Sequence, residues 1–318
     1  MENIEQSYYR PLVAIVSEAE HGKQVRTVLE RQLGVSRKLL SQVKLTEHGL
    51  LVNGIRSYTT APVSAGDRIE VRMEREVSVD ILPQPIAIQI VFEDEDLLIV
   101  NKPAGMVVHP THGHYTGTLA NGVVYHWQQQ GERVRFRPVH RLDEETSGLV
   151  AIAKTSYVHQ QLSEQMQANG FLKLYRAYVY GNPDPDKGTV DAPIDRNPDQ
   201  PHIRIVTPQG YPSVTHYEQL LSFKSAAAGS TGAAVRLKLE TGRTHQIRVH
   251  MQHIGCPLIG DKMYGPEDGG VEAWEAAVGR QALHAEILGF THPITKQWVE
   301  WQAALPPELE RLEEILNQ

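Results

Sequence analysis

Cysteine occurs once in the 318-residue sequence, at Cys256, which excludes an internal disulfide framework and any multi-cysteine metal cage. No apolar run approaches the roughly eighteen residues that a membrane-crossing helix needs. The opening MENIEQSYYR is not a basic stretch leading into an apolar one, so no leader or membrane anchor is expected and a reducing, cytoplasmic setting follows. Positive charge is in deficit: 31 Lys and Arg stand against 38 Asp and Glu, for a formal net charge of -7. A nucleic-acid surface must therefore be local. Phosphate-cradling GxxxxGK and GxGxxG loops are absent, as is the GxSxG elbow of serine hydrolases, which removes the signals for a nucleotide cofactor or a triad built on Ser147. His140, His245, His250, His253 and His284 suggest a metal by number, but no HExxH accompanies them and their segments are rich in arginine, which repels a cation. Neither a metal nor a cofactor is expected.

Apolar residues at 41% with charged residues at 22% describe an ordinary globule, and the length suits a large body with a smaller module beside it. The module occupies the first eighty residues. Leu12 to Val16 reads as a strand, and VRTVLERQLG places Val25, Val28, Leu29 and Leu33 on one helical face with Gly34 as its stop. Ser36 caps a second helix, SRKLLSQVK; Asn53-Gly54 between short apolar runs predicts a hairpin, and AGDRIEVRM a closing strand. Between Lys23 and Arg56, seven basic residues (Lys23, Arg26, Arg31, Arg37, Lys38, Lys44, Arg56) face two acidic ones (Glu30, Glu47), a local excess of +5. Such a run is either a solvated helix face or a phosphate-contacting surface.

Beyond a proline-rich linker, residues 81–318 read as the larger body. IQIVFEDEDLLIVNKPAG predicts two strands and a tight turn. Thr118 to His126 and Ser156 to Ala168 have helical spacing, and Leu172 to Tyr180 alternates as a strand that sets Lys173 and Tyr175 on one face. Gly181 to Pro212, with its scattered prolines, reads as a long irregular excursion. HYEQLLSF and VRLKLE flank the low-complexity turn KSAAAGSTGAA as hairpin partners; GPEDGGVEAWEAAVGR is an acidic loop and short helix, and the chain ends in a strand and helix. Irregular alternation of strands and helices, with no internal repeat, favours a mixed α+β body over a doubly wound parallel one.

Four places concentrate polar groups at element ends: Arg141 with Asp143, Lys173 with Tyr175, TGRTHQIRVH (Thr241 to His250), and RQALHA (Arg280 to Ala285). In the third, a helix beginning at Gly242 sets Thr244 and Arg248 one turn apart and packs Ile247 and Met251. Arg243 and Arg248 then offer two guanidiniums, one for a carboxylate and one for a phosphate. Asp143 stands at the mouth of an apolar strand, Leu149 to Ala153, in a turn that suits a short acidic side chain.

HRLDEETSGLVAIAK resembles the signature of the RluA-type pseudouridine synthases, and EDEDLLIVNKPAGMVVHP, KLYRAYVYG and ETGRTHQIRVHMQHIGCPLIGDKMYG match further blocks of that family in order, with RQALHA and FTHPIT completing them. The resemblance implies the pseudouridine synthase fold, a mixed and largely antiparallel central sheet around a cleft. It implies that Asp143 is the catalytic aspartate, Arg248 its partner, Tyr175 a stacking residue on the uracil, and Arg141 the group that enters the RNA stack where the base leaves. The SRKLL helix followed by VNG and the AGD strand resembles the S4 RNA-binding domain, with Arg37 and Lys38 matching the basic helix start that faces RNA. The chain departs from that family at Val25-Arg26-Thr27, where Arg-Leu-Asp is usual. Lys44 and Arg243 complete the expected RNA contacts. Structured RNA is the expected partner, large-subunit ribosomal RNA of the 23S type before transfer RNA, and a monomer the expected state. A binding protein without activity is the competing reading; it would be expected to have lost Asp143, Tyr175 or Arg248.

Overall fold

The computed structural model describes residues 7–224, 230–266 and 269–317. The opening residues 1–6, the centre of the low-complexity turn (225–229) and part of the acidic loop (267–268) lie outside the described residues. In the first eighty residues, β1 (Leu12–Ile15) precedes α1 (Val25–Leu33) and α2 (Arg37–Val43). Val25, Val28 and Leu29 are buried on one face of α1, which stops at Gly34 with a left-handed φ of 62°. Ser36 starts α2 by accepting the Leu39 N–H. The hairpin of β2 (Leu50–Val52) and β3 (Ile55–Arg56) turns at Asn53-Gly54, both at positive φ, and β4 (Arg68–Val71) lies between β1 and β2.

The body begins with β5 (Gln89–Glu93) and β6 (Leu97–Lys102), then α3 (Leu119–Gln129), β7 (Ser147–Ala153), α4 (Ser156–Gln167) and β8 (Phe171–Tyr180). The expected excursion at 181–212 instead contains β9 (Lys187–Asp191), β10 (Ile194–Arg196) and β11 (Arg204–Val206). These strands are too short to show a period; pairing of β9 to a distant strand and of β10 to β11 creates them. There follow β12 (Val214–Lys224), β13 (Thr231–Leu239), α5 (Gln246–His253), α6 (Glu272–Val278), β14 (Leu283–Thr291), β15 (Trp298–Gln302) and α7 (Pro307–Leu316). The large sheet has the order β5-β6-β7-β14-β8-β13-β12-β9, with β15 also on β14; β7 with β14 is its parallel pair and the other pairings are antiparallel.

That parallel crossing explains the Thr-Ser-Gly ahead of the apolar run. A Cβ at Gly148, which sits at φ 117°, would lie 2.3 Å from the Ala285 carbonyl, so only glycine lets β7 start against β14. Every residue of β7 is buried.

One apolar cluster joins module and body, with Val28, Leu29 and Leu39 beside Leu97, Ile99, Leu149, Tyr157 and Phe290. Tyr157 Oη donates to the Leu33 carbonyl at 2.7 Å and Gln160 Nε2 to that of Gly34 at 2.8 Å. No described helix is long and apolar enough to cross a membrane.

Candidate active site

Five of the eight residues expected to carry catalysis or RNA contact line one cleft of 690 Å³: Arg141, Asp143, Tyr175, Arg243 and Arg248. A larger cavity of 950 Å³ lies between module and body and contains none of them, so size alone does not locate the site. Arg37, Lys38 and Lys44 are exposed on the module and are not part of the cleft wall; Arg37 is 92% exposed, with Glu30 3.6 Å away.

Asp143 occupies a turn closed by the Thr146 N–H donating to its own carbonyl at 3.0 Å. Lys102 supports this turn from beneath. Its fully buried ammonium donates to the carbonyls of Pro103, Met106 and Glu144 at 2.8, 2.7 and 3.0 Å, tying the NKPAG turn to the residue after Asp143. Burial, and then the charge of Arg280, pushes the Lys102 pKa down to about 7, yet three carbonyl acceptors match the three hydrogens of the charged form. Arg280 steadies the next residue, donating to the Glu145 carbonyl at 2.9 Å while pairing with Glu308 at 2.7 Å. Ser147 is buried between Arg280 and His284, at 3.0 and 2.9 Å, which places it in the core and not in the cleft.

Arg248 differs from expectation in its main partner. Its Nε and Nη2 donate to the two oxygens of Asp261 at 2.6 and 2.7 Å, while Nη1 stands 3.6 Å from Asp143 Oδ2. Burial opposes the charge of Arg248, but the hydrogen bonds and negative charge of Asp261, joined by that of Asp143, hold its pKa above the ordinary value. Asp261 is fixed in turn by the N–H groups of Met263 and Tyr264, at 2.9 and 3.1 Å, and the Arg248 guanidinium lies 4.9 Å over the Tyr264 ring.

The helix carrying Arg248 begins later than the spacing suggests, because His245 at φ 58° breaks the backbone before Gln246. Thr244 therefore lies outside α5, though Ile247 and Met251 are buried as expected. Gln246 pins the segment: its oxygen accepts from Thr241 Oγ1 and the Arg243 N–H, and its nitrogen donates to the Val214 carbonyl and Thr215 Oγ1, all within 2.9 to 3.0 Å. His245 Nε2 is 4.0 Å from Asp143. Tyr264 Oη accepts the Arg204 N–H at 2.8 Å and meets His245 Nδ1 at 2.9 Å; if its own hydrogen goes to Nδ1, the imidazole N–H points toward Asp143. Burial lowers the His245 pKa against the pull of Asp143.

Tyr175 is 5% exposed, and burial, followed by the charge of Asp143, raises its pKa so that it stays protonated. Arg141 and Arg243 are exposed at the cleft rim; Arg243 lies 5.5 Å over the Tyr211 ring. Sequence reasoning missed His245, Asp261 and Tyr264 as members of the site. The signal available was the spacing of Asp261 and Tyr264 in GDKMYG, an acid whose oxygen can accept the N–H three residues on.

His250 is structural, bonded to Thr215 and the Ala192 carbonyl. Among the described residues the one cluster with metal-ligand geometry is Asp94, Asp96 and His292, away from the cleft, where Asp94 already pairs with His292 and Asp96 with Arg10.

Residues 96–253 match the RNA pseudouridylate synthase family. An RNA pseudouridine synthase of Bacillus subtilis is 41% identical over 85% of this chain and 86% of its own, and the ribosomal large subunit pseudouridine synthase D of Escherichia coli K12 is 36% identical over 96% and 94%. Among solved structures, human RNA pseudouridylate synthase domain containing 1 superposes with a TM-score of 0.57 at 28% identity, covering 72% of this chain and 89% of that one. With its mixed, mostly antiparallel sheet in the pseudouridine synthase fold and relatives aligned along nearly its whole length, the chain belongs to the RNA pseudouridine synthase family of enzymes.

Proposed function

We propose that the enzyme isomerises particular uridines of large-subunit ribosomal RNA, with Asp143 as the catalytic carboxylate. The observation that carries the reading is an aspartate facing a guanidinium that Asp261 already holds by two hydrogen bonds. The fixed positive charge holds and orients the Asp143 carboxylate in the cleft. Uridine becomes pseudouridine when the N1–C1′ bond breaks, the base turns, a C5–C1′ bond forms and the C5 proton leaves as N1 gains one, so atoms balance without a cofactor. Asp143 serves either as nucleophile or as the base that begins glycal formation. The target base must leave its stack to reach it. Arg141 at the rim fills the space it vacates, Tyr175 stacks on the uracil, and Arg243 meets the strand.

Residues 1–80 act in this reading as an S4-like module, whose Arg37, Lys38 and Lys44 contact phosphates, and residues 81–318 as the catalytic domain. The ribosomal target is supported by the Escherichia coli relative, named as acting on the large subunit, and a cytoplasmic setting follows from that target. Mapping pseudouridines across all RNAs of cells with and without the gene, and with an Asp143→Asn copy restored, tests both parts. Loss of a few large-subunit sites, unrestored by the variant, is the expected result. Loss confined to transfer RNA would overturn the ribosomal assignment, and restoration by Asp143→Asn the catalytic one.

A further inference from the structure

Phe171, Lys173 and Tyr175 point to the same face of β8, at intervals of roughly 6.6 Å, and the HRLD segment runs beside them. The His140 ring meets Phe171 edge-on at 5.9 Å. Asp143 is at the other end, close enough for its charge to act on Tyr175. Lys173 lies between them and lines the same cleft as His140, Asp143 and Tyr175.

Lys173 differs from the other two lysines withdrawn from solvent in the body. Lys102 has three carbonyls, and Lys154 has Glu93 and Glu132, each at 2.9 Å. Lys173 has no carboxylate within ion-pair distance and no hydrogen-bond acceptor among the described residues, although burial already depresses its pKa. His140 beside it also has an unused donor. Its Nε2 accepts the Ala151 N–H at 3.2 Å, so the ring hydrogen is on Nδ1, and Nδ1 is buried without a partner. Burial, and then the charge of Lys173, keeps that imidazole neutral. A partly buried cation without a counterion, beside a buried N–H without an acceptor, is a site that an anion with acceptor oxygens would satisfy.

We propose that Lys173, with the Nδ1–H of His140, forms an anion subsite that takes a phosphodiester oxygen of the RNA strand adjoining the flipped uridine. The proposal rests on the cleft being where a uridine is isomerised. A phosphodiester matches the donor set, since it carries one negative charge and accepts hydrogen bonds without donating any. It also lies within one nucleotide of the base that Asp143 and Tyr175 would hold. Lys173 thereby sets the strand's register, in addition to the phosphate contacts proposed for the distant module.

The test compares wild type with Lys173→Met and Lys173→Arg on a large-subunit ribosomal RNA transcript, reading kcat and KM separately. It also measures transcript binding against salt concentration in an Asp143→Asn background. Lys173→Met is expected to raise KM about tenfold with kcat changed less than about twofold, and to make the salt slope shallower by about 0.7 to 0.9. Lys173→Arg should recover most of both. Unchanged KM and salt slope would overturn the subsite. So would a fall in kcat at constant KM with a shifted pH profile, because Lys173 would then be tuning Asp143. Should the methionine variant unfold, Lys173→Gln supplies the neutral side chain. A wild type that binds the transcript but forms no pseudouridine in it contradicts the proposed target instead, and the salt slopes still decide the subsite.

Discussion

Arg248 holds Asp261 through two parallel hydrogen bonds and leaves its third nitrogen facing Asp143 at 3.6 Å. The pairing with Asp143 alone is thus the looser half of a carboxylate–guanidinium–carboxylate bridge. Asp261 aims the guanidinium. Asp261→Asn keeps the shape but replaces one acceptor oxygen with an NH2, so one of the two bonds to Arg248 is lost and the other no longer has an anionic acceptor; it should lower kcat about tenfold or more with RNA affinity within about threefold. Steady-state kinetics beside filter binding checks this; a rise in KM alone would assign Asp261 to RNA binding. Arg248→Ala leaves Asp261 buried and unpaired, and should in addition destabilise the fold by about 3–5 kcal/mol in a denaturant titration.

Asp143→Asn retains the turn, because the Thr146 N–H bonds to the backbone carbonyl of residue 143 and not to its side chain. Tritium release from C5-labelled RNA should fall to background while the unfolding free energy changes by less than about 0.5 kcal/mol, as expected at a partly exposed position. Near-normal turnover would remove the catalytic assignment.

Tyr175 should contribute no ionisation to the rate. Burial and the nearby Asp143 charge raise its pKa, so the pH–rate profile of wild type should show no tyrosinate limb up to about pH 10, its ordinary pKa. Tyr175→Phe should lower the rate without moving any limb. A limb present in wild type and absent in Tyr175→Phe would show that the phenol is solvated.

His284 links stability to pH. Burial, aided by the Arg280 charge, lowers its pKa to about 4 against the opposing pull of the Ala303 carbonyl. The folded-state value lies below the unfolded one, so the stabilisation is present above pH 6.5 and is lost as the unfolded chain takes up a proton on the way down to pH 4. At about 1.4 kcal/mol per unit, this one group accounts for up to a few kcal/mol. Denaturant titrations at pH 7 and pH 4.5 should show that loss, and His284→Asn, whose amide does not titrate, should reduce it. An equal loss in both proteins would place the dependence on other groups.

The basic module is better tested by charge than by deletion. Removing residues 1–80 strips Val28, Leu29 and Leu39 from a cluster shared with Leu149, Tyr157 and Phe290, so truncation damages the body as well as removing cations. Arg37→Gln with Lys38→Gln alters exposed side chains, and should weaken transcript binding and make its salt slope shallower by about 0.9 per lost contact. Identical slopes would make the +5 segment a solvated surface.

Much of the fold was encoded within a few residues of where it appears. The Ser36 cap, the Gly34 stop, the Asn53-Gly54 turn and the apolar run of β7 depend on neighbours within about one helical turn or a little more, Gly34 reaching back five residues to Leu29, and so were legible directly. The ordered motifs likewise pointed to the family before any geometry was known. Tertiary structure decided what distant residues share. β9 exists because β12 pairs with it. His245 adopts a left-handed backbone, and α5 begins at Gln246 once that residue finds partners on β12 and its approach. Arg248 chooses Asp261, thirteen residues on, because the N–H groups of Met263 and Tyr264 both hold its Oδ1 and so fix the carboxylate that faces the guanidinium. Lys173 is left without an anion by the same packing. A residue's own neighbours set its local conformation, but its charge partner is set by whatever the folded chain brings within a few ångströms.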